Sequence, residues 1–515
     1  MSRQLFKSTV VVGSMTLISR ILGFIRDMLI AHIFGVNLAT DAFFVVFKIP
    51  NFLRRLFAEG AFAHAFVPIL SDYKERGSRV ALKQFIDKTA GTLSVFLLLI
   101  TLIGVVAAPV LIMLIAPGFA WQETQYELSV QLLQITFPYF LFITLVAFAG
   151  GILNAHGQFA IPALTPAFLN ICMIAAAIWL APLMGEPIKG LAWGVLLAGI
   201  VQLLFQVPAL IRLGLVPRPR LGFNDAGVKR IISLMIPAIF SVSVTQINLL
   251  LDTLFASFLT VGSVSWLYYS DRLVEFPSGI LGTALATVIL PNLAGSHAAE
   301  DAAAFSNALD WGLRLVILIA LPATIGLLLL AEPMLSTLFQ YNEFGVNDVH
   351  FAGQSLKAYS FGLLGFILIK ILVPGFTSRG DMKTPVRYGV YAMMASLGLN
   401  VALVFVLAHA GLALATSLGA FFNAALLLIK LKKDKIYQPA AGWWLFFGRV
   451  LLAAAAMSAV LYYFVDAEWW NHWNSLTRVI NLAKWIAVGL VVYTLTLLLT
   501  GLRLKHLAGQ MHGQA

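Results

Sequence analysis

Long runs of apolar residues recur from one end of the chain to the other. They include residues 93–115, 168–183, 315–331, 397–408 and 485–500. A helix that crosses a lipid bilayer needs about 20 predominantly apolar residues, and dividing the chain into runs of that order predicts about fourteen spans. The hydrophobic pattern therefore predicts an all-α polytopic membrane protein.

Composition strengthens this prediction. Of the 515 residues, 60% are hydrophobic and only 11% are charged, and the mean hydropathy is +0.90, whereas about 25% of the residues in a soluble domain are charged. The first apolar run follows Arg3 and Lys7, as a signal peptide would. Because Arg20 and Arg26 come soon afterwards and no small-residue cleavage site is clear, we expect a retained first helix.

Basic residues alternate between successive connections. The connections at 74–88, 212–230, 379–387 and 430–435 are rich in Lys and Arg, whereas those at 117–127, 260–265 and 409–411 contain neither. By the positive-inside rule, the basic connections and both termini are expected to be cytoplasmic. Topology therefore accounts for the formal net charge of +11, and we expect no nucleic-acid partner.

An internal repeat divides the chain. Pro68 corresponds to Pro291, and Pro162 to Pro385, and both pairs are 223 residues apart (291 − 68 and 385 − 162). Two repeats of six spans each would have the same orientation, a transporter plan in which the substrate binds between the halves. We therefore predict two six-helix lobes around a central cavity and a final helix pair, at residues 1–222, 223–436 and 437–515.

Charged residues within the apolar segments at 19–65 need a polar space to face, because each costs about 2.5–3.5 kcal/mol at the centre of a membrane helix. Asp41, Lys48, Arg55 and Glu59 are separated by 7, 7 and 4 residues. These spacings return to nearly the same face of a helix. The pattern predicts one charged stripe that faces a cavity.

Further charges extend this set into both lobes. In the second lobe, Pro277 and Gly279 are expected to break or bend the helix that carries the charges, as at known transport sites. The additional residues are Arg20, Arg26, Asp27 and Arg54 in the first lobe, and Asp271, Arg272, Glu275 and Lys370 in the second.

Pairing within the set, such as Arg20 with Asp27 and Lys48 with Asp41, is one explanation for these charges. It leaves an excess, because the twelve residues comprise seven basic and five acidic groups (7 − 5 = +2). Arginine offers a planar fork that suits phosphate. We therefore expect the anionic headgroup of a phospho- or pyrophospho-lipid, with a soluble anion as the alternative.

Other functional chemistry has little support in the sequence. Cys172 is the only cysteine, and His32, His64 and His156 lack the spacing of metal ligands. The sequence contains neither a G-x-S-x-G elbow nor a phosphate-binding P-loop. We therefore expect a transporter rather than an enzyme, without a cofactor and driven by an ion gradient or the membrane potential.

Oxygen-bearing side chains suggest one cation site. Ser396 and Asn400 share a helix face, Thr416 lies on the next span, and Asp252 is an isolated carboxylate in an apolar run. Such oxygen ligands suit a hard cation such as Na⁺. Ordinary hydrogen bonding between membrane helices is the alternative explanation.

The charged motifs resemble those of a known family. The chain is similar to the MurJ (MviN) lipid II flippases of bacterial cell-wall synthesis in the runs SRILGFIRD…ATDAFFVVFKIPNFLRRLFAEGAFAHAFVP, YYSDRLVEFPSGILG and APGF. That family belongs to the multidrug/oligosaccharidyl-lipid/polysaccharide exporter superfamily. The resemblance covers essentially the whole chain and implies fourteen helices. These would form two six-helix lobes in a V shape and a final pair that forms a groove for the lipid tail.

The resemblance also implies roles for individual residues. Arg20, Arg26 and Arg272 would meet the lipid-linked pyrophosphate, Asp41 would lock or gate the lobes, and Arg54 would serve the cytoplasmic side. The matching motifs contain four further site residues, namely Lys48, Arg55, Asp271 and Glu275.

The function implied is the transfer of lipid II from the cytoplasmic to the periplasmic leaflet of the bacterial inner membrane, for peptidoglycan synthesis and cell shape. A monomer would work by alternating access among membrane lipids, and the membrane potential would return the net-positive empty cavity. Na⁺ or proton coupling is left open. The alternatives are an exporter of another polyprenyl-linked or small substrate, a drug/cation antiporter, for which a net-acidic cavity is expected, and a scaffold, which would leave the charges unexplained.

Overall fold

The structure, a computed structural model, describes residues 3–502, without the side chains of residues 3–10, of Glu59 and of several residues between 240 and 288. Its regular elements are all helices, and the described residues include no strand. Contacts divide the chain into two compact units, Met1–Val264 and Ser265–Ala515.

The first unit contains α1 to α10 and the start of α11. Short π-helical segments follow α2 and α8 at Arg54–Phe62 and Ala176–Leu180, and 3₁₀ turns occur at Pro117–Trp121 and Ala181–Leu183. The helices are α1 (Arg3–Phe34), α2 (Leu38–Leu53), α3 (Ala63–Arg76), α4 (Arg79–Val106), α5 (Ala108–Ile115), α6 (Glu123–Thr136), α7 (Tyr139–Ala155), α8 (Ala160–Ala175), α9 (Ile188–Leu213) and α10 (Ala226–Ala256).

The second unit continues from α11. α14 packs along α12 and α15, and α16 packs against both α12 and α18. Its helices are α11 (Ser263–Ala298), α12 (Ala302–Leu329), α13 (Ala331–Leu338), α14 (Val346–Thr377), α15 (Lys383–Lys433), α16 (Trp443–Phe464), α17 (Trp469–His472) and α18 (Ser475–Leu499).

The described helices are long enough for the fourteen predicted crossings. In the described part of the chain, nine helical segments are long and apolar enough to cross a membrane. One of them, α15, consists of two helices joined at Ala408, whose φ of 47° and ψ of −129° are not helical. Together with α1, the segment from α2 to α3, α10 and α11, these give the predicted number of spans.

The unit boundary differs from the boundary that the repeat suggests. α10 belongs to the first unit, where it packs on the π-helical segment Arg54–Phe62 and on α3, whereas the repeat assigns it to the second lobe. The lobe limits at residues 222 and 436 stay predictions.

The connection between α9 and α10 is bound along α4. The buried carboxylate of Asp87 binds Lys83 and accepts a hydrogen bond from the backbone N–H of Arg218 at 2.7 Å, and the Asp87 carbonyl accepts one from the N–H of Arg220 at 3.0 Å. Gly91 permits this approach, since a Cβ there would lie 2.2 Å from the Arg220 carbonyl oxygen. The predicted linker is thus an ordered segment along α4, and we call this connection between α9 and α10 the strap.

Asp225 ends this strap and caps α10. Its carboxylate accepts hydrogen bonds from Gly227 N–H at 2.9 Å and Lys88 Nζ at 2.8 Å. Burial alone would raise the pKa of Asp225, but these bonds and the Lys88 charge outweigh it and hold the pKa below its ordinary value of 3.8.

A buried cluster fixes the connection between α15 and α16 to α12. Asp310 accepts hydrogen bonds from Tyr437 Oη at 2.8 Å, Trp443 Nε1 at 2.6 Å and Arg314 Nε at 2.8 Å. Burial, followed by the hydrogen bond to the Asp310 carboxylate, raises the pKa of Tyr437. One turn after Arg314 on α12, Leu318 shares an apolar core with α16 and α18. The final helix pair therefore packs on α12 within the second unit.

Candidate substrate-binding site

A π-helical segment changes the geometry of the predicted charged stripe. Asp41 and Lys48 lie on α2, but Arg55 lies in the segment Arg54–Phe62. Hydrogen bonds from i to i+5 widen the turns of a π-helix, and such segments are frequent at functional sites. The α-helical spacing that the stripe prediction assumes holds for Asp41 and Lys48 on α2 but not within this segment. The stripe beyond α2 stays a prediction, and the side chain of its last member, Glu59, lies outside the described residues.

Arg26 is buried at the contact between α1 and α8, with 5% of its surface exposed. Its Nη2 donates to Asp27 Oδ1 at 2.7 Å, its Nη1 donates to Asn170 Oδ1 at 2.9 Å, and its guanidinium lies 5.6 Å from the centre of the Phe47 ring. The side-chain amide of Asn170 also donates to the Ser19 carbonyl at 3.0 Å. The fork of Arg26 is thus held by neighbours in this conformation, whereas Arg20 is exposed.

Two polar contacts join α2 to α10 and to the turn that follows it. The carboxylate of Asp41, which is only 2% exposed, accepts a hydrogen bond from Gly262 N–H at 2.6 Å. Two turns further along α2, Lys48 Nζ donates to Thr253 Oγ1 at 2.9 Å. The predicted pairing of Lys48 with Asp41 stays a prediction, while the structure adds a backbone partner for Asp41 and a hydroxyl partner for Lys48 that the sequence did not indicate.

The APGF motif packs against the same turn. Gly118 N–H donates to Ser257 Oγ at 3.1 Å, and a Cβ on Gly118 would lie only 2.1 Å from the Ser257 carbonyl oxygen. Glycine is therefore required for this close approach. The 3₁₀ turn and α2 together hold residues 257–262 at one end of the first unit.

Arg54 and Arg55 begin the π-helical segment, and both are half-buried. Arg54 Nε donates to Asn51 Oδ1 at 3.4 Å. These two arginines and the residues on α1 and α2 place most of the predicted positive charge on consecutive elements of the first unit.

Arg272 lies on α11 in the second unit. Its Nη1 contacts Glu275 Oε2 at 2.7 Å, and its guanidinium lies 5.0 Å from the centre of the Tyr268 ring. Arg272 is half-buried, whereas Asp271 and Glu275 are exposed. The three predicted residues thus occupy one turn of α11, with the arginine held against an aromatic ring.

Pro277 does not break α11, which continues from Ser263 to Ala298. Lys370 Nζ on α14 donates to the Ser278 carbonyl at 2.8 Å and to Ser278 Oγ at 3.3 Å. Its stem passes Gly282, where a Cβ would lie 2.3 Å from Lys370 Cδ. The predicted break at Pro277 is therefore wrong, and the alternative of a bend there stays a prediction.

The four proposed Na⁺ ligands are divided between the units. Asp252 is half-buried on α10, whereas Ser396, Asn400 and Thr416 lie on the two parts of α15. Ser396 Oγ donates to the Ala415 carbonyl at 3.2 Å, as the hydrogen-bonding alternative expects. The described residues contain no cluster of three or more His, Cys, Asp or Glu that would suit a metal ion, and Na⁺ coupling stays a prediction.

Three residues of this arrangement escaped the sequence analysis. Asn170 is an amide within an apolar run, and this isolated polar residue is the signal that would have found it. Thr253 and Gly262 carry no such signal, because their partners, Lys48 and Asp41, lie more than 200 positions away in the chain.

Comparisons with known proteins agree with this architecture. The family model described as "Lipid II flippase MurJ" matches residues 30–484. The chain belongs to the MurJ family. A "Probable lipid II flippase MurJ" of Vibrio cholerae is 47% identical over 514 residues, which cover 98% of each chain. A relative of the same description from Haemophilus influenzae is 46% identical and covers 96% of this chain and 99% of its own.

Solved structures show the same fold. "Lipid II flippase MurJ, inward closed conformation" has a TM-score of 0.81 and 26% identity, over 95% of this chain and 98% of its own. An inward-facing MATE transporter of the MOP superfamily has a TM-score of 0.66 at 14% identity, over 83% and 98% of the two chains, which supports the fold alone. The predictions of MurJ family membership, an all-helical membrane fold and a transporter rather than an enzyme are confirmed.

Proposed function

We propose that this protein transfers lipid II from the cytoplasmic to the periplasmic leaflet of a bacterial inner membrane by alternating access. Its relatives in Vibrio cholerae and Haemophilus influenzae are described as probable lipid II flippases. The observation that carries the proposal for this chain is Arg26, a buried guanidinium whose fork is turned to acceptors on two helices. The same fork geometry suits a pyrophosphate.

Of the three candidate arginines, Arg20 and Arg272 would bind the pyrophosphate before Arg26. Arg20 is exposed, and the pair of Arg272 with Glu275 has side chains 30% and 47% exposed. Exposed pairs contribute only about 0–1 kcal/mol, so Arg272 exchanges Glu275 for a phosphate at little cost. Removing one partner of a buried ion pair destabilises a protein by about 3–5 kcal/mol. Arg26 therefore leaves Asp27 only when the substrate supplies a replacement anion.

Asp41 would act as a latch. Its carboxylate accepts a hydrogen bond from Gly262 N–H. A second hydrogen bond, from Gly118 N–H to Ser257 Oγ, binds the same turn. If the two lobes that move meet at the repeat boundary, residue 222, the turn at residues 257–262 belongs to the second lobe. These bonds then join that turn to the first lobe. Opening toward the periplasm would require them to separate. Before that opening, Arg54 and Arg55 would attract the anionic headgroup at the cytoplasmic side.

The remaining parts of the cycle follow from topology. Both termini would be cytoplasmic, a monomer would suffice, and α16 with α18 would hold the undecaprenyl tail. The site residues Lys48, Asp271 and Glu275 would balance the cavity charge. Because one charge crossing 100 mV is worth about 2.3 kcal/mol, the membrane potential would return a net-positive empty cavity, with Na⁺ or protons as candidate coupling ions.

The test replaces Arg26 and Arg272 by alanine, singly and together, in cells depleted of their native flippase. We expect lipid II to stay inaccessible from outside in spheroplasts that produce the double variant. Arg76→Ala, which removes an arginine from an exposed pair with Asp72, is the matched control. Normal growth of the double variant would rule out the arginine site. Unchanged lipid II exposure after acute loss of the protein would instead favour another polyprenyl-linked or small substrate.

A further inference from the structure

A cavity of about 680 Å³ lies in the second unit, and none of its lining residues belongs to the candidate site. Binding pockets for small molecules commonly have volumes of this order. The cavity lies between the end of α12, the first half of α14 and the break in α15 at Ala408. Its apolar walls include Leu328, Phe361, Val406 and Leu414, and its polar lining residues are Gln354 and Lys357.

The one charged residue that lines the cavity, Lys357, is paired with Glu332, which lies outside the lining. Lys357 Nζ contacts Glu332 Oε1 on α13 at 2.6 Å, and the two side chains are 44% and 25% exposed. An ion pair this exposed contributes little to stability. A ligand that offers an anion to Lys357 and a cation to Glu332 therefore replaces the pair with little loss. Gln354, one turn before Lys357, also lines the cavity; its amide nitrogen lies 3.0 Å from His350 Nε2 and carries two N–H groups.

The apolar walls are open on the surface of the unit. Phe361 is 45% exposed and Val406 is 78% exposed. Both belong to helices that cross the membrane, where exposed apolar side chains meet hydrocarbon. The cavity thus has an apolar part that suits an acyl chain and, at one end, a lysine and a glutamate that suit a headgroup of mixed charge.

We propose that this cavity binds one glycerophospholipid whose headgroup contains a phosphate and a primary amine, as in phosphatidylethanolamine. Lys357 and Gln354 donate to the phosphate, Glu332 accepts from the ammonium group, and an acyl chain lies along Leu328 and Phe361. A choline headgroup has no N–H to donate to Glu332, and a glycerol headgroup has no cation. Both are therefore expected to bind more weakly.

The test measures lipid binding to the purified full-length protein by native mass spectrometry, with phosphatidylethanolamine, phosphatidylcholine and phosphatidylglycerol of the same acyl composition. We expect the wild type to prefer phosphatidylethanolamine. Lys357→Gln and Glu332→Gln each remove a charged hydrogen bond, which corresponds to about tenfold weaker binding. Ala410→Leu, which places a larger side chain among the lining residues, should weaken the binding of all three lipids.

Lys189→Gln is the matched control, because it removes a lysine from the Glu186 pair at 3.2 Å in the first unit. It should leave binding unchanged, and thermal unfolding checks that each variant is folded. Equal binding of the three lipids by the wild type would overturn the proposal. So would a Glu332→Gln or Lys357→Gln protein that binds like Lys189→Gln. The measurement contains no lipid II, so its failure would not bear on the proposed flippase activity.

Discussion

Arg314 Nε lies 2.8 Å from Asp310 Oδ2, and this ion pair is buried, with 6% and 2% of the two residues exposed. Arg314 also donates to the Ala441 carbonyl at 3.0 Å and lies over the Trp443 ring at 4.9 Å. The pair therefore belongs both to α12 and to the connection that leads into α16. It therefore anchors the start of α16 to α12 within the second unit.

The first prediction is that Asp310→Ala destabilises the attachment of α16 and α18. The substitution leaves Arg314 buried without its carboxylate, and breaking such a pair costs about 3–5 kcal/mol. We expect a lower midpoint of thermal unfolding and faster proteolysis of the connection at 434–442.

Asp434→Ala provides the control for this prediction. Lys430 and Asp434 also form a pair at 2.7 Å with i to i+4 spacing, but their side chains are 30% and 34% exposed. Such a pair contributes about 0–1 kcal/mol. If both aspartate variants unfolded at the same temperature, the anchoring role of Asp310 would be wrong.

The second prediction concerns Gly118. Gly118→Ala would place a Cβ 2.1 Å from the Ser257 carbonyl oxygen, so the backbone of one turn must move. We expect a lower unfolding midpoint and reduced lipid II exposure in spheroplasts. Gly389→Ala is the control, because nothing lies within 4 Å of its Cβ position on α15, and alanine is favoured by about 1 kcal/mol over glycine in a helix. Equal effects of the two substitutions would contradict the close approach.

The sequence predicts much of the fold because apolar runs and basic loops report directly on membrane crossings. It fails where the backbone departs from regular spacing. The chain forms a π-helical segment at Arg54–Phe62, and a spacing rule built on 3.6 residues per turn cannot anticipate it. Pro277 shows the converse, since α11 continues through a proline at which local propensity predicts an interruption.

The sequence predicts which charged residues belong to the candidate site, but not which groups they contact. Arg26 pairs with its chain neighbour Asp27 and with Asn170, 144 positions away. Only the packing of α1 on α8 brings these groups together. Long-range backbone partners, such as Gly262 for Asp41, have no side-chain chemistry that a sequence pattern can show.

The third prediction is that Asp41→Ala loosens the turn at residues 257–262. The variant loses the carboxylate that accepts from Gly262 N–H at 2.6 Å. A hydrogen bond to a charged group is worth about 1.5–3 kcal/mol, so we expect at least about tenfold faster labelling of a cysteine at exposed Val261 by a membrane-impermeant thiol reagent. The measurement uses Val261→Cys in a Cys172→Ala background.

Leu183→Cys, at an 82% exposed position, reports any general change in labelling and should react equally with and without Asp41→Ala. The latch role would be excluded by an unchanged rate at position 261.

The fourth prediction is a pH dependence of the strap between α9 and α10. The hydrogen bonds from Lys88 and from the backbone of α10 lower the pKa of Asp225 below 3.8 in the folded protein. Its contribution to stability is therefore complete above about pH 3.8, the ordinary value, and is lost as the pH falls through the lower, folded pKa. Asp225→Asn removes the titrating group while keeping a cap for α10. We expect the wild type to unfold at a higher temperature than Asp225→Asn at pH 7, and the difference to disappear in more acidic solution. A difference that stayed constant from pH 7 to below the folded pKa would show that the carboxylate charge does not hold the strap.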